Sequence, residues 1–586
     1  MAEALASSSS RNFWNEIKNV NRSCSQRPSH APVVDGIRSE KDIANVFSSK
    51  ISSLLSSANS ESSDSLLHQL TDHLTSKDLS SVFVSSSCVR SAFKLLKPHK
   101  ADGTSLLSDH LIFALPAIEG FVAKLFTCIL RHGYMPAALR DCILVPIPKG
   151  NKDPTSSDNY RPVALAPALS KALEWSILLL YPNHFTTTDL QFGFKKGMST
   201  ALCTGFIKNV VSKFVHNGSS VFGCFLDASK AFDRVNHDIL FSKLMERGIP
   251  PILNRFLLSW YKSQRMQVRW NATLSPAFSV SNGVRQGGVL SPILFTIYMD
   301  DLLLGLKDLG IGCYWDGFFV GAACYADDVA ILAPSPSALR MMLHYSEDFA
   351  SSRGLIFNAS KTQLIRFGPQ PSTSCSANIR FCDAALPFCD VVVHLGHLLC
   401  HDLSDSVDIM SKARDLIRKA NLMLYTFSAA DPVVKSRLLQ SYCLSLYGSA
   451  LWKLSCPAIH SIEVSFNNIL RRIWHLPCNC HTRILHLTAR LPSLFNVIIS
   501  RAASLLSSAL SCSSLIVRKV FGESSLLAYT HTGYNAMSGG LHAKQYYQED
   551  GLCATVIRHL HVFGSLKDND LNQMIDAICT NFCTTV

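Results

Sequence analysis

The sequence predicts an α+β chain, with short strands gathered in its middle part and helices towards its C-terminal end. Three observations carry this expectation. Residues 221–225 form a short apolar, β-rich run that ends on Leu226 and Asp227. Residues 318–324 and 329–332 are two apolar runs on either side of Tyr325, Ala326, Asp327 and Asp328, which reads as a hairpin with an acidic turn. Beyond about residue 410 the strand patterns give way to helical periodicity through Leu416, Leu422, Leu438, Leu439 and Leu470.

Taken in order, residues 1 to about 90 are serine-rich and weakly patterned, with Ser7 to Ser10 and residues 52–65 reading as loop or loose helix ends. Phe13, Trp14 and Ile17 could share one helical face. From about residue 89 to 139 the pattern is helical, and Pro136 and Pro146 then punctuate an extended stretch, 142–147. In residues 264–270, Met266, Val268 and Trp270 alternate with Arg265, Gln267 and Arg269, the pattern of a half-buried strand. The richest apolar stretch, 288–306, contains Asp300 and Asp301 and reads as buried core. No uninterrupted apolar run reaches the roughly eighteen residues of a membrane span, and no internal repeat is visible.

At 586 residues the chain is long enough for several domains or one large multi-lobed enzyme. Its formal charge of +12 suits a polyanionic partner. Residues 411–490 hold eleven Lys and Arg against Asp415, Asp431 and Glu463, so much of the excess sits in one segment. Met1 to Arg11 lacks the charged start and apolar core of a signal peptide. Many of the twenty cysteines, Cys224, Cys313 and Cys324 among them, lie inside apolar segments, which points to buried thiols in a reducing compartment. Nucleus and cytoplasm are the expected locations, with no membrane partner.

The chemistry rests on carboxylates. Nucleotidyl transfer uses two divalent cations about 4 Å apart, one activating the attacking hydroxyl and one holding the leaving pyrophosphate. Asp227 at a strand end and Asp327 with Asp328 at a hairpin turn would supply such a set if the strands are neighbours. A lone Asp-Asp pair at a turn is ordinarily just solvated, but apolar flanks on both sides argue against that here.

The segments FLDASKAFDRVNH (225–237), NGVRQGGVLSPILF (282–295) and YADD (325–328) resemble the palm motifs of reverse transcriptases in their usual order. The resemblance is nearest to jockey-like polymerases of non-LTR retrotransposons. It extends upstream through PIPKG (146–150), NYRPV (159–163) and QFGFKKG (191–197), and downstream through FNASKTQ (357–363) and HLG (394–396). It implies a right-hand polymerase of fingers, palm and helical thumb, using deoxynucleotides, an RNA template, a DNA primer and Mg²⁺, with Mn²⁺ as an alternative. Asp227, Asp327 and Asp328 would be the metal-binding catalytic carboxylates. Asp233 would belong to the motif without being a ligand, and Phe232 would be the ring that excludes a 2′-hydroxyl.

By the same resemblance, Gln286 and Gly287 would meet the template base and incoming nucleotide, and Lys149 and Arg161 would neutralise the triphosphate. Lys361 matches a lysine proposed to protonate the leaving pyrophosphate. His394 stands where the family more often has an aromatic residue, near the primer grip. The basic helical segment would be the thumb, with Arg418 and Lys419 on nucleic-acid phosphates. The implied divisions are 1–90 as a serine-rich connector, 91–400 as fingers and palm, 401–480 as thumb, and 481–586 as a helical region of unknown role.

An endonuclease, which such elements usually carry, is not expected: residues 1–90 are short for one, and the tail holds only scattered acids such as Asp568, Asp570 and Asp576. Cys478, Cys480, His481 and His486 lack the Cys-x-x-Cys spacing of a zinc knuckle. The competing readings are another palm polymerase, such as an RNA-templated RNA polymerase or a group II intron maturase, and a silent nucleic-acid-binding remnant.

Overall fold

The computed structural model describes residues 33–56, 82–103, 107–150, 152–368 and 378–523. Phe13, Trp14 and Ile17, and the tail acids Asp568, Asp570 and Asp576, lie outside the described residues. In chain order the strands are β1 (Cys142–Pro148), β2 (Tyr160–Leu165), β3 (Val221–Leu226), β4 (Arg265–Trp270), β5 (Thr273–Leu274) and β6 (Phe278–Ser279). They continue with β7 (Tyr314–Trp315), β8 (Phe318–Phe319), β9 (Ala322–Tyr325), β10 (Asp328–Ala333) and β11 (Gln363–Phe367). The last four are β12 (Ile379–Phe381), β13 (Ala384–Leu386), β14 (Val391–His394) and β15 (His397–Cys400).

Two sheets organise the middle of the chain. The first has the order β2-β1-β4-β5, with β6 also on β4. Met266, Val268 and Trp270 point to its buried side, as the alternation in the sequence requires. The helix Glu40–Leu54 closes that side: Phe47 stacks on Trp270 with centroids 5.2 Å apart and meets Tyr160 edge-on at 5.1 Å. Part of the serine-rich N-terminal region is therefore core to this sheet.

The second sheet, β11-β3-β10-β9, is antiparallel throughout. All six residues of β3 are buried, which is why that strand reads as a continuous apolar run rather than an alternating one. Helices Thr200–His216, Leu290–Asp308 and Pro336–Ser352 pack around it. Ser199 and Ser335 cap two of them, their hydroxyls accepting from the Leu202 and Ala338 amides at 3.2 Å each. The apolar run 318–324 is not the single strand its composition predicts. Phe318–Phe319 pairs with β7 in a separate ribbon, and the hairpin proper starts at Ala322. The break falls at Gly321, where a Cβ would lie 2.7 Å from the Phe319 ring and 2.9 Å from the Cys313 nitrogen.

After β15 the chain is helical, from Ser406–Thr426 through Ala458–Trp474 to Leu494–Ser511, around a core of its own that includes Leu416, Leu438, Trp452, Phe466 and Leu470. Leu422 departs from the expected apolar face and is 67% exposed. A buried ion pair ties this lobe to the second sheet's helix layer: Lys208 Nζ lies 2.6 Å from Asp405 Oδ1 and also donates to the Leu451 carbonyl at 2.8 Å.

Two helices, Ser108–His132 and Leu494–Ser511, are long and apolar enough to cross a membrane by length and composition. Single polar residues interrupt both, so neither stands out in the sequence as an unbroken apolar run. Each buries residues in the fold, Phe126, Ile129 and Leu130 in one, Leu494 and Ile498 in the other. Every described cysteine is free. Burial pushes the Cys313 thiol up to about 12, so it stays protonated and unreactive.

Candidate active site

The carboxylates meet because of strand register. Val329 on β10 is opposite Leu226 on β3, in antiparallel pairing. One residue further along, Asp328 is therefore opposite Asp227, although a hundred residues separate them in the chain. Asp328 also pairs with Tyr325, so Ala326 and Asp327 form a two-residue turn between β9 and β10. Ala326 takes a φ of +63°, the conformation such tight hairpin turns demand.

Electrostatics shows how close the three groups are. Burial, and then the charges of Asp327 and Asp227, lift the Asp328 carboxyl to about 6. Asp327 is raised as well, by burial first and by Asp227 next, with Arg161 opposing the shift. Lys361 Nζ stands 3.2 Å from Asp227 Oδ2. Among the described residues, no group of three or more His, Cys, Asp and Glu is arranged to hold a metal ion. The three Asp carboxyls repel one another.

Opposite it lies a group of cations. The Lys149 ammonium is depressed by partial burial and by the charges of Lys152, Arg161, Lys230 and Lys361. Anions in the structure partly offset these charges: Lys361 pairs with Asp227, and Asp158 lies near Lys149 and Lys230. Lys149 also donates to the Asp158 carbonyl at 2.9 Å, which fixes its stem along the loop before β2. Lys152 and Lys230 carry no signal of this role in the sequence. Lys230 lies inside the FLDASKAFDRVNH segment, and its φ of +51° marks a turn that projects it away from β3.

The Gln286-Gly287 loop docks against β2. The Ala164 amide donates to the Gln286 carbonyl at 2.7 Å. Gly287 has a φ of +120°, and a Cβ there would lie 2.6 Å from the Ala164 oxygen, so only glycine fits. The Gln286 side chain donates to Asp233 Oδ1 at 2.8 Å, and Asp233 is buried. The loop's anchor is a buried ion pair: Arg285 Nη2 lies 2.8 Å from Glu174 Oε1, with side chains 1% and 0% exposed. The other oxygen of Glu174 accepts from the Val289 and Leu290 amides at 2.6 and 2.7 Å, capping the helix Leu290–Asp308. Arg285 lies inside the NGVRQGGVLSPILF segment, whereas no pattern in the sequence marks Glu174.

Phe232 is half-buried and lies flat on Phe295, centroids 4.2 Å apart and planes 16° apart, with Phe194 edge-on at 6.2 Å. His394 is buried, shares a 2.9 Å hydrogen bond with Thr204 Oγ1 and packs 5.1 Å from the Phe225 ring. Burial drives its pKa down to about 3. It is a neutral ring in an apolar place, so it fills the role an aromatic residue would. Arg418 and Lys419 are not part of this cluster. They lie on the helix Ser406–Thr426, where Arg418 pairs with Asp415 at 3.1 Å and Lys419 donates to Ser445 at 3.4 Å. The same helix exposes Ile417, Leu422 and Tyr425, the last at 84%.

The strand-end carboxylates thus stand near Lys361 and Arg161. Residues 147–381 match the family described as reverse transcriptase (RNA-dependent DNA polymerase), and this part of the chain is a reverse transcriptase domain. Among curated proteins, the chain is similar to polymerases named for mobile elements. It is 27% identical to the RNA-directed DNA polymerase from mobile element jockey of Drosophila melanogaster, over 74% of this chain and 48% of that protein. It is 26% identical to the probable RNA-directed DNA polymerase from transposon X-element of the same organism, over 68% of this chain and 45% of that protein. The chain thus spans about half the length of the curated relatives it matches. A telomerase structure from Candida albicans overlaps with a TM-score of 0.35 at 11% identity, covering 71% of this chain and 68% of that one.

Proposed function

We propose that the chain extends a DNA primer on an RNA template by adding deoxynucleotides, with Asp227, Asp327 and Asp328 as the catalytic carboxylates. The observation that carries this reading is the β3–β10 register, which sets Asp227 across from Asp328 and beside the Asp327 turn. The donor set is all oxygen, the chemistry Mg²⁺ prefers, and the Asp327 and Asp328 carboxyls are raised first by burial and then by like charges that bound cations would offset. Bound there, Mg²⁺ or Mn²⁺ would supply charge neutralisation at the attacking and leaving oxygens. The chain's own residues do the rest. Lys149 and Arg161, with Lys152 and Lys230, attract and orient the triphosphate. Lys361, already on Asp227, is placed to hold a proton near the leaving group. The test is extension of oligo(dT) on poly(rA) by purified protein in Mg²⁺ and in Mn²⁺, with ribonucleotides as the comparison; no deoxynucleotide addition in either metal would overturn the proposal.

Phe232 is the candidate for sugar selection, since its ring is only half-buried between Phe295 and Phe194. Phe232→Val should raise incorporation of ribonucleotides relative to deoxynucleotides by roughly tenfold or more, the effect of removing a steric clash. Single-nucleotide addition kinetics with both sugars give the ratio. An unchanged ratio in a folded variant would make Phe232 ordinary packing against Phe295.

The helical lobe is the proposed thumb, with residues 401–480 as its extent and residues 91–400 as fingers and palm. Reversing Arg418 and Lys419 to Glu should weaken duplex binding for all sequences alike. The log–log salt dependence should flatten by about 0.9 for each phosphate that is no longer neutralised. Binding titrations between low and moderate salt check this, and an unchanged slope would leave both residues as a solvated face.

A further inference from the structure

The turn that carries Asp327 is held from two sides by residues outside the carboxylate set. On one side the segment before Gly193 runs along the free edge of β9: the Phe192 amide donates to the Cys324 carbonyl at 2.7 Å and the Cys324 amide to the Leu190 carbonyl at 2.8 Å. Gln191 lies in that segment and is 0% exposed. Its side-chain oxygen accepts from the Ala326 amide at 3.1 Å and from the Gly193 amide at 2.9 Å. On the other side the Cys324 thiol donates to the Ala326 carbonyl at 2.9 Å. Gly193 backs directly onto the turn, and a Cβ there would collide with the Ala326 nitrogen.

Ala326 is a non-glycine residue in the left-handed region, a conformation that costs free energy unless its surroundings determine it. A two-residue turn leaves its first amide without a ladder partner, and a buried amide without a partner is unfavourable. The Gln191 oxygen removes that penalty only while Ala326 keeps its left-handed geometry. We infer that Gln191 is a positioning residue for the catalytic turn: its side-chain oxygen, through the Ala326 amide, fixes where Asp327 and Asp328 stand relative to Asp227. It touches none of the reacting atoms. The inference rests on the reading of the three aspartates as the catalytic set.

Two substitutions separate this from plain core packing. Gln191→Met keeps the length and bulk but has no acceptor; Gln191→Glu keeps the acceptor oxygen. Hydrogen exchange followed by mass spectrometry should show the peptide over residues 322–330 exchanging about tenfold faster or more in the Met variant, with peptides from β3 and β11 unchanged. The Glu variant should restore slow exchange. Mn²⁺ binding, read from the free-ion signal in electron paramagnetic resonance, should weaken in the Met variant while template–primer affinity stays at the parent value. If exchange over 322–330 is unchanged, or rises equally in every peptide, or if both variants fail to fold, Gln191 is a core residue and the inference is overturned. Activity of Asp327→Asn tests the underlying reading separately: an active Asp327→Asn protein would sink the catalytic assignment whatever Gln191 does to the turn.

Discussion

Replacing Asp227, Asp327 or Asp328 by Asn is expected to abolish primer extension while leaving template–primer binding nearly intact. The substitution keeps the size and most of the hydrogen-bonding capacity of the side chain and removes the charge. Charge is what the two-cation scheme needs in the transition state, so the loss should be on the order of hundreds-fold or more in rate. On the proposed reading, binding depends instead on phosphate contacts spread over the basic helical lobe and the Lys149 cluster, and these are untouched. For Asp328 the sign of a further effect follows from its surroundings. Its carboxyl is raised to about 6 by burial and by two like charges, so removing one charge from the trio relieves repulsion. The Asn variants should therefore be as thermally stable as the parent, or more so. Extension assays under single-turnover conditions and a thermal unfolding scan give both numbers. Wild-type extension by any one Asn variant would remove that residue from the catalytic set.

The second large effect is expected at a place with no chemistry. Arg285→Ala should destabilise the fold by about 3–5 kcal/mol, the usual consequence of leaving one member of a buried ion pair uncompensated. Arg285 also lies over the Trp260 ring at 4.3 Å, so truncation removes packing as well as charge. Glu174→Ala should cost a similar amount, because the same carboxylate pairs with Arg285 and caps the helix that begins at Leu290. The double variant should cost clearly less than the two single changes together, since each single change orphans the other group. Urea unfolding of the three proteins measures this. Strictly additive effects would mean that the pair does not act as a unit. Because the Gln286-Gly287 loop sits between this ion pair and β2, the single variants should also lose nucleotide affinity before they lose their fold.

Sequence alone determined the local facts of this protein. The apolar run into Asp227, the alternation of Met266, Val268 and Trp270, and the paired acids at a turn are each dictated by neighbours along the chain. Periodicity and turn chemistry are short-range signals, so the extended runs near 142–147, 221–226, 264–270 and 329–332 and the helical stretches at 89–139 and beyond 410 were legible, while most helices between them were not. The motif segments were legible through their resemblance to reverse transcriptases, not through periodicity. What failed locally also has a local cause: the run 318–324 looks continuous because its residues are uniformly apolar, and only the close approach of Phe319 and Cys313 at Gly321 breaks it.

Tertiary structure decided everything that depends on who stands opposite whom. The register that faces Asp227 with Asp328 joins elements a hundred residues apart, and no periodicity encodes it. The same holds for Lys152 and Lys230 beside Lys149, for Glu174 beneath Arg285, and for Gln191 behind the Ala326 turn. Lys152 and Glu174 are ordinary residues in their own segments, and Lys230, Arg285 and Gln191 lie inside motif segments that do not reveal these contacts. Glu174, Arg285 and Gln191 gain meaning from burial, which removes water as a partner and makes a single oppositely placed charge or acceptor decisive.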